Sequence, residues 1–378
     1  HQFRQQLGGE EYIIAGYPWF KPRARDTFIA MPGLTLAIGE TEQFEKYMDT
    51  AARALDDFMA GRPVSVQIYE TEQPDTLLWA MWCLQQYAKY VGRERCRERY
   101  GTLIDRIMSF IFEGHHPNLF GHTNGLVYAN GRDRAVTWMN STAWGRPIIP
   151  RSGYIVEFNA LYYNAKKFYQ QLLVDDGRPE RLITAERIEA ECRQFEESFR
   201  STFVNHCGYL FDYVDGGNAD WSVRPNQLLA IALDFSPLTL RERKAVLDIC
   251  TRELKTPKGI RSLSPKSQGY TPYYVGRQED RDRAYHQGTA WPWLTGFYLE
   301  AYLRVYRMSG VNYIERQLIG FEEELFYHCV GTIPELFDGN PPFSGRGAIS
   351  FAMNVSSILR AFRQLEKHRL EEEAAERD

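Results

Sequence analysis

The segment Asp75-Thr-Leu-Leu-Trp-Ala-Met-Trp-Cys-Leu-Gln-Gln-Tyr-Ala-Lys-Tyr90 decides the fold. It is too long for an ordinary strand and carries helix-forming residues, so it predicts a helix. Its apolar residues fall on every side instead of one stripe, which places that helix inside the protein. Segments of the same kind recur at Ile155–Leu172, Pro225–Leu233 and Trp291–Val305. Between them lie helices with a single apolar stripe. One stripe is Phe44, Tyr47, Met48, Ala51, Leu55 and Phe58; a second is Tyr100, Leu103, Ile104, Ile107 and Ile111. Ile188, Cys192, Phe195, Phe199 and Phe203 form a third, and Ile314, Leu318, Phe321 and Leu325 a fourth. Buried-type and one-faced helices therefore tend to alternate, as two concentric rings require: inner helices wet on neither side, outer helices wet on one. The pattern predicts an all-α protein of about eleven helical segments. Strand signals are sparse. Gly208–Val214 reads as a short strand, and Leu126–Tyr128 is expected to pair with Val136–Trp138 across the turn at Asn130-Gly131.

Composition narrows the function. The chain has 378 residues and a net charge of -4, with its basic residues scattered, so no field is built for nucleic acid. No apolar run is long enough to span a membrane. Six cysteines, Cys83, Cys96, Cys192, Cys207, Cys250 and Cys329, form no close pairs. That spacing suggests neither a disulfide framework nor a zinc site and fits a reducing, cytoplasmic compartment. His286 and the pair His115-His116 lack companion ligands at metal-binding spacing. No metal and no cofactor is expected. No Pro/Gly/Ser linker divides the chain, which reads as one domain over residues 1–378, cut from a longer protein. Aromatic residues make up 14% of the chain, including 8 Trp and 23 Tyr. Such residues fill large cores, and their flat faces with polar edges also suit sugar rings.

The unusual residues concentrate in loops that precede helices, where binding groups commonly sit. These loops are Gly16–Asp26, Thr137–Ser141, Pro150–Asn159, Arg224–Gln227, Tyr285–Trp293 and Gly331–Gly339. Their motifs run in order from Tyr17 to Gly339: YPWF…RDT-IA-PGL, TWM, PR-G-VE-NAL-YNA, RPNQ, AYHQGT-WPW and IPE-FDG. In this the chain resembles the C-terminal domain of the amylo-α-1,6-glucosidase family of glycogen debranching enzymes. The resemblance implies an (α/α)6 barrel of the glucoamylase and trehalase kind. It also implies release of α-1,6-linked glucose from a branched α-glucan with inversion at the anomeric carbon.

Inversion uses two carboxyl groups roughly 6.5–9.5 Å apart, one protonating the leaving oxygen and one activating water. Glu335 stands at the family's base position. The family's acid is an Asp after the Thr-Trp-Met motif, and here that position is Asn140. An amide has no useful acidity. Three readings stay open: activity is lost, another carboxyl serves (Glu157 and Asp133 are nearest in sequence), or the position tolerates Asn in a branch with altered chemistry. Other departures point to a divergent branch, among them Arg23-Ala24 before Arg25-Asp26 and the run Gly347–Met353.

Arg25 and Asp26 resemble the pair that holds a terminal glucose, and Asp75 matches a family Asp-x-x-Leu-Trp element. A buried salt bridge with an N-cap before Thr27 is the competing role for Arg25 and Asp26, and an N-cap for Asp75. Trp19, Trp138, Trp291 and Trp293 are candidate pocket walls. Arg151, Glu157, Asn159, His286 and Gln287 complete the expected sugar-binding set. A disaccharide hydrolase on the same barrel and a glucan-binding domain without catalysis are the alternatives.

Overall fold

The structure, a computed structural model, describes residues 1–328 and 330–375. Among the described residues thirteen α-helices follow in order. They are α1 (Ala24–Leu34), α2 (Thr41–Met59), α3 (Thr76–Val91), α4 (Arg93–Phe112), α5 (Val156–Asp176), α6 (Pro179–Phe203) and α7 (Gln227–Ala232). Then come α8 (Leu240–Glu253), α9 (Gln278–Ala284), α10 (Trp293–Tyr306), α11 (Val311–Ile319), α12 (Glu324–Tyr327) and α13 (Ala352–Ala375).

Six of them close a ring. Helix α1 packs on α3, α3 on α5, α5 on α7, α7 on α10, α10 on α13, and α13 back on α1. These are the inner helices, and they include the segments with apolar residues on all sides: every residue of α3 from Thr76 to Ala88 is buried. Helices α2, α4, α6, α8 and α11 lie outside them. The stripes expected from the sequence face inward, with Phe44, Met48, Ala51 and Leu55 of α2 and Ile188, Cys192, Phe195 and Phe199 of α6 buried. This is the (α/α)6 barrel.

The inner ring tightens where small residues meet. A Cβ on Gly33 of α1 would come within 2.1 Å of the Ser356 carbonyl oxygen on α13, and one on Gly296 of α10 within 2.2 Å of Ser357 Oγ. The two serine hydroxyls accept from the Gly33 and Gly296 N–H groups at 3.1 and 3.0 Å. Backbones approach this closely only without a side chain between them.

Short β-pairings tie together the loops that enter the inner helices. Gly16-Tyr17, before α1, pairs with Ser350-Phe351, before α13. Tyr154-Ile155, before α5, pairs with Tyr213-Val214, before α7. Arg23 bridges Tyr69, joining the entries of α1 and α3. The inner helices thus start at one rim, and their N-terminal ends direct partial positive charge there.

Two expectations need correction. Val127-Tyr128 pairs with Phe120-Gly121, not with Val136–Trp138. The Asn118 side chain clasps the Asn130 backbone on both sides, donating to its carbonyl and accepting from its N–H. Gly131 lies against the Arg151 carbonyl, so Asn130-Gly131 is not a hairpin tip. The expected strand at Gly208–Val214 is shorter and shifted, to Tyr213–Asp215. Cys329 lies outside the described residues; Cys83, Cys96, Cys192, Cys207 and Cys250 are free thiols. No helix among the described residues is long and apolar enough to cross a membrane.

Candidate active site

Glu335 enters the rim from the loop before a two-residue strand, Leu336-Phe337. Its backbone N–H donates to the Ala348 carbonyl at 2.8 Å, and the Ala348 N–H donates to Glu335 Oε2 at 2.7 Å. The Tyr285 hydroxyl donates to Oε1. Asn354, at the start of α13, donates to the Pro334 and Glu335 carbonyls at 2.6 and 2.8 Å and accepts from the Trp293 N–H. Gly347 makes the close approach possible. It has φ +72°, and a Cβ there would sit 2.3 Å from Glu335 Oε2.

The carboxyl is 2% exposed. Burial pushes its pKa up to about 8; the Ala348 N–H opposes that rise, the Asp26 carboxylate adds to it, and Arg23 opposes it. Asp26 is itself pushed up to about 6 by burial, against the pull of Arg23 and Arg25. Asp26 and Glu335 are therefore two carboxyls, from opposite ends of the chain, that share one poorly solvated space.

The Arg25 guanidinium is not free. It forks onto Asp75 at 2.6 and 2.8 Å, and Asp75 also accepts from Trp79 Nε1 at 3.2 Å. Both partners are buried. The pair locks the entries of α1 and α3 together, and Asp26, the next residue, is buried within electrostatic range of Glu335.

The Thr137–Ser141 loop reaches the same rim through Trp138, which packs on His286 and Trp291. A buried cluster fixes it from below. Arg151 holds both oxygens of Glu157 and, through Nε, Asp212 at 2.6 Å. Asp212 accepts from Asn226 Nδ2 at 2.7 Å, and Asn226 Oδ1 accepts from Trp138 Nε1 at 2.7 Å. Met139 is buried with its sulfur near the Asn226 amide and the Arg224 guanidinium. Asn140 follows, partly exposed. Ser141 Oγ then lies 3.3 Å from His286 Nδ1.

Rings carry the wall from this loop to Glu335. Trp138 meets His286, Trp291 and Trp293 edge-on at 5.2, 5.3 and 5.2 Å. His286 stacks on Trp291 at 14° and touches Tyr285 at 4.4 Å. Burial and the nearby Arg224 and Arg25 charges keep the His286 imidazole neutral, well below its ordinary pKa. Its buried Nε2 has no partner among the described residues.

Several expected sugar ligands have structural partners instead. Both Glu157 oxygens are held in the Arg151 fork, 2% exposed, so Glu157 has no oxygen turned to a leaving group. Asp133 is exposed between Arg132 and Arg134. Asn159 uses both amide hydrogens and its oxygen on the Val127 and Ile155 backbone. Gln287 accepts from Arg224 at 2.8 Å. Trp293 is fully buried against Trp79 and Phe297, in the core beneath Trp138. Trp19 is 59% exposed and stands at the outer edge.

Sequence reasoning passed over Tyr285, Asp212 and Arg224. Tyr285 opens the quoted Tyr285–Trp293 loop, so a signal was available. For Asp212 there was none, because its role depends on meeting Arg151 across 61 positions.

A cavity of about 660 Å³ opens at the other end of the barrel, lined by Pro32, Lys89, Glu300, Arg304 and Arg360 among others. Lys89 and Arg304 pair with Asp234, and Arg360 with Glu300. Arg304 also caps the last carbonyl of α7, as cations at helix C-termini do. Asp26 and Glu335 lie at the opposite rim.

Residues 3–360 match the amylo-alpha-1,6-glucosidase family. Over 248 residues the chain is 26% identical to the glycogen debranching enzyme of Saccharomyces cerevisiae, an alignment covering 53% of this chain and 16% of the yeast protein. It superposes with a TM-score of 0.64 and 15% identity on the GH63 mannosylglycerate hydrolase of Thermus thermophilus in complex with glucose, covering 93% and 95% of the two chains. A bacterial glucoamylase complexed with acarbose superposes with a TM-score of 0.63 and 14% identity, over 95% of this chain and 54% of that one. The two superpositions agree on the barrel, and the family match extends over nearly all of it: this chain belongs to the amylo-α-1,6-glucosidase family of glycoside hydrolases.

Proposed function

We propose that the chain binds the terminal glucose of a branched α-glucan and hydrolyses its α-1,6 bond with inversion, Glu335 acting as general base. One observation carries the reading. A buried carboxyl, fixed by a backbone N–H and a tyrosine hydroxyl, stands at the rim where the inner helices begin, beside a second carboxyl suited to sugar hydroxyls. Glu335 in its ionised form takes a proton from water as that water attacks the anomeric carbon. Its raised pKa makes it a stronger base than a solvated glutamate, and its ionised fraction grows as pH rises towards about 8. Asp26 accepts from glucose hydroxyls. Trp138, 7% exposed, is the ring nearest to a sugar, with the buried His286 and Trp291 packed behind it.

The leaving oxygen needs a proton that Asn140 cannot give. With Glu157 held by Arg151, the Trp138–Ser141 loop supplies no carboxyl, and departure of the glucan relies on solvent. That favours slow turnover, and it also gives substance to a second reading, a domain that binds glucan without cleaving it. A general acid contributes about 10²–10⁴-fold. Glucose release from a limit dextrin is therefore expected to rise by about that factor in Asn140→Asp. Equal rates for the two chains would remove position 140 from the mechanism. No release by either, with sugar still bound, would establish the binding-only reading.

A further inference from the structure

The hairpin directly after Asn140 carries an exposed tryptophan in an unfavourable backbone conformation. Thr142-Ala143 pairs with Arg146-Pro147, leaving Trp144-Gly145 as the two-residue tip. Both have positive φ, 54° and 75°. Such tips favour Asn-Gly, and a bulky side chain at positive φ is a genuine outlier. Residues held this way are strained, and they cluster at active sites and ligand clamps. The protein offers Trp144 almost nothing in return, since the side chain is 94% exposed.

Its location is specific. Ile148 N–H donates to the Ser141 carbonyl at the hairpin's base. The hairpin packs against α9, whose end leads directly into Tyr285, the residue that holds Glu335. Trp144 therefore rises between Asn140 and the helix that leads into the base's support, no more than about 10 Å of chain from Ser141. The other two exposed tryptophans, Trp19 and Trp221, also lie on loops entering inner helices, whereas the remaining five are buried. Exposed tryptophan on this molecule is confined to the catalytic rim.

We propose that Trp144 is a stacking platform for the glucan chain on the leaving-group side of the scissile bond. It makes the site select oligosaccharide over free glucose. The inference rests on the glucan reading given above. An indole face matches the C–H face of a pyranose ring, and a contact of that kind needs no new hydrogen bond. Free glucose has no further ring to lay on the hairpin tip once it is held beside Asp26 and Glu335.

The test is calorimetric titration of the whole chain with maltoheptaose and with glucose, so it requires no turnover. Trp144→Asn is the decisive variant, because Asn suits the tip and preserves the hairpin. Maltoheptaose affinity should fall about 3- to 10-fold more than glucose affinity, and Trp144→Phe should recover most of it. If Trp144→Asn binds maltoheptaose as the unmodified chain does, the platform is refuted while the glucan reading stands. If the unmodified chain binds neither sugar, the glucan reading fails and takes the platform with it.

Discussion

Glu335→Gln is expected to make the protein more stable as it makes it inactive. The carboxyl's pKa moves from 4.5 to about 8 on folding, chiefly through burial. Between those values the folded state keeps a proton that the unfolded chain has released, so stability falls as pH rises. The loss begins near pH 4.5, reaches about 3 kcal/mol at pH 7 and levels at about 5 kcal/mol above pH 8. Glutamine has nearly the same shape and no proton to lose. Its oxygen can accept from the Ala348 N–H, and its amide can donate to the Tyr285 oxygen, so neither partner is orphaned. Urea unfolding at pH 4.5, 7 and 8.5 should show the two proteins nearly equal at the lowest pH, with the variant increasingly ahead above it. Glucose release should vanish in the variant, because an amide cannot take a proton from water. A stability difference that does not grow with pH would refute the account of a desolvated carboxyl, and near-normal turnover would remove Glu335 from the chemistry.

Two further changes probe the neighbouring charges. Asp26→Asn removes a negative charge that raises the Glu335 pKa, so a carbon-13 titration of Glu335 should shift to lower pH; oligosaccharide affinity should weaken by about 2–5 kcal/mol if Asp26 holds sugar hydroxyls. Arg151→Met leaves Glu157 and Asp212 buried without their cation and should cost about 3–5 kcal/mol in denaturant unfolding, with the Trp138–Ser141 loop loosened. An unchanged unfolding midpoint would show that the cluster does not support that loop.

The barrel was legible because burial on all sides and burial on one side leave different marks in sequence, as α3 and α4 show. Helices α1 and α13 left weaker marks. Pro32 interrupts the first, and the second passes from buried Met353 to charged turns within a single helix. Glu335 was singled out through its motif, although the groups around it, the Ala348 N–H, Tyr285 and Asp26, converge only in three dimensions. Asn159 shows the reverse case. A polar residue in a motif-rich loop suggested a ligand contact, but the entry of α5 needed that amide to satisfy backbone groups of the neighbouring hairpin. Sequence marks a polar residue as unusual without saying whether its partner will be a substrate or the chain itself.

The contact between Gly33 and Ser356 joins residues 323 positions apart. During synthesis the first inner helix must wait for the last before the ring can shut, with its apolar face meanwhile unpaired. Long-range closures of this kind are slow to form and leave intermediates open to aggregation. Asp26 and Glu335 lie on either side of that seam, so the two carboxyls come together only after the ring has closed. A nascent or partly unfolded chain therefore holds separated halves of the site, and recovery of sugar binding after dilution from denaturant should follow seam closure instead of the earlier appearance of helix.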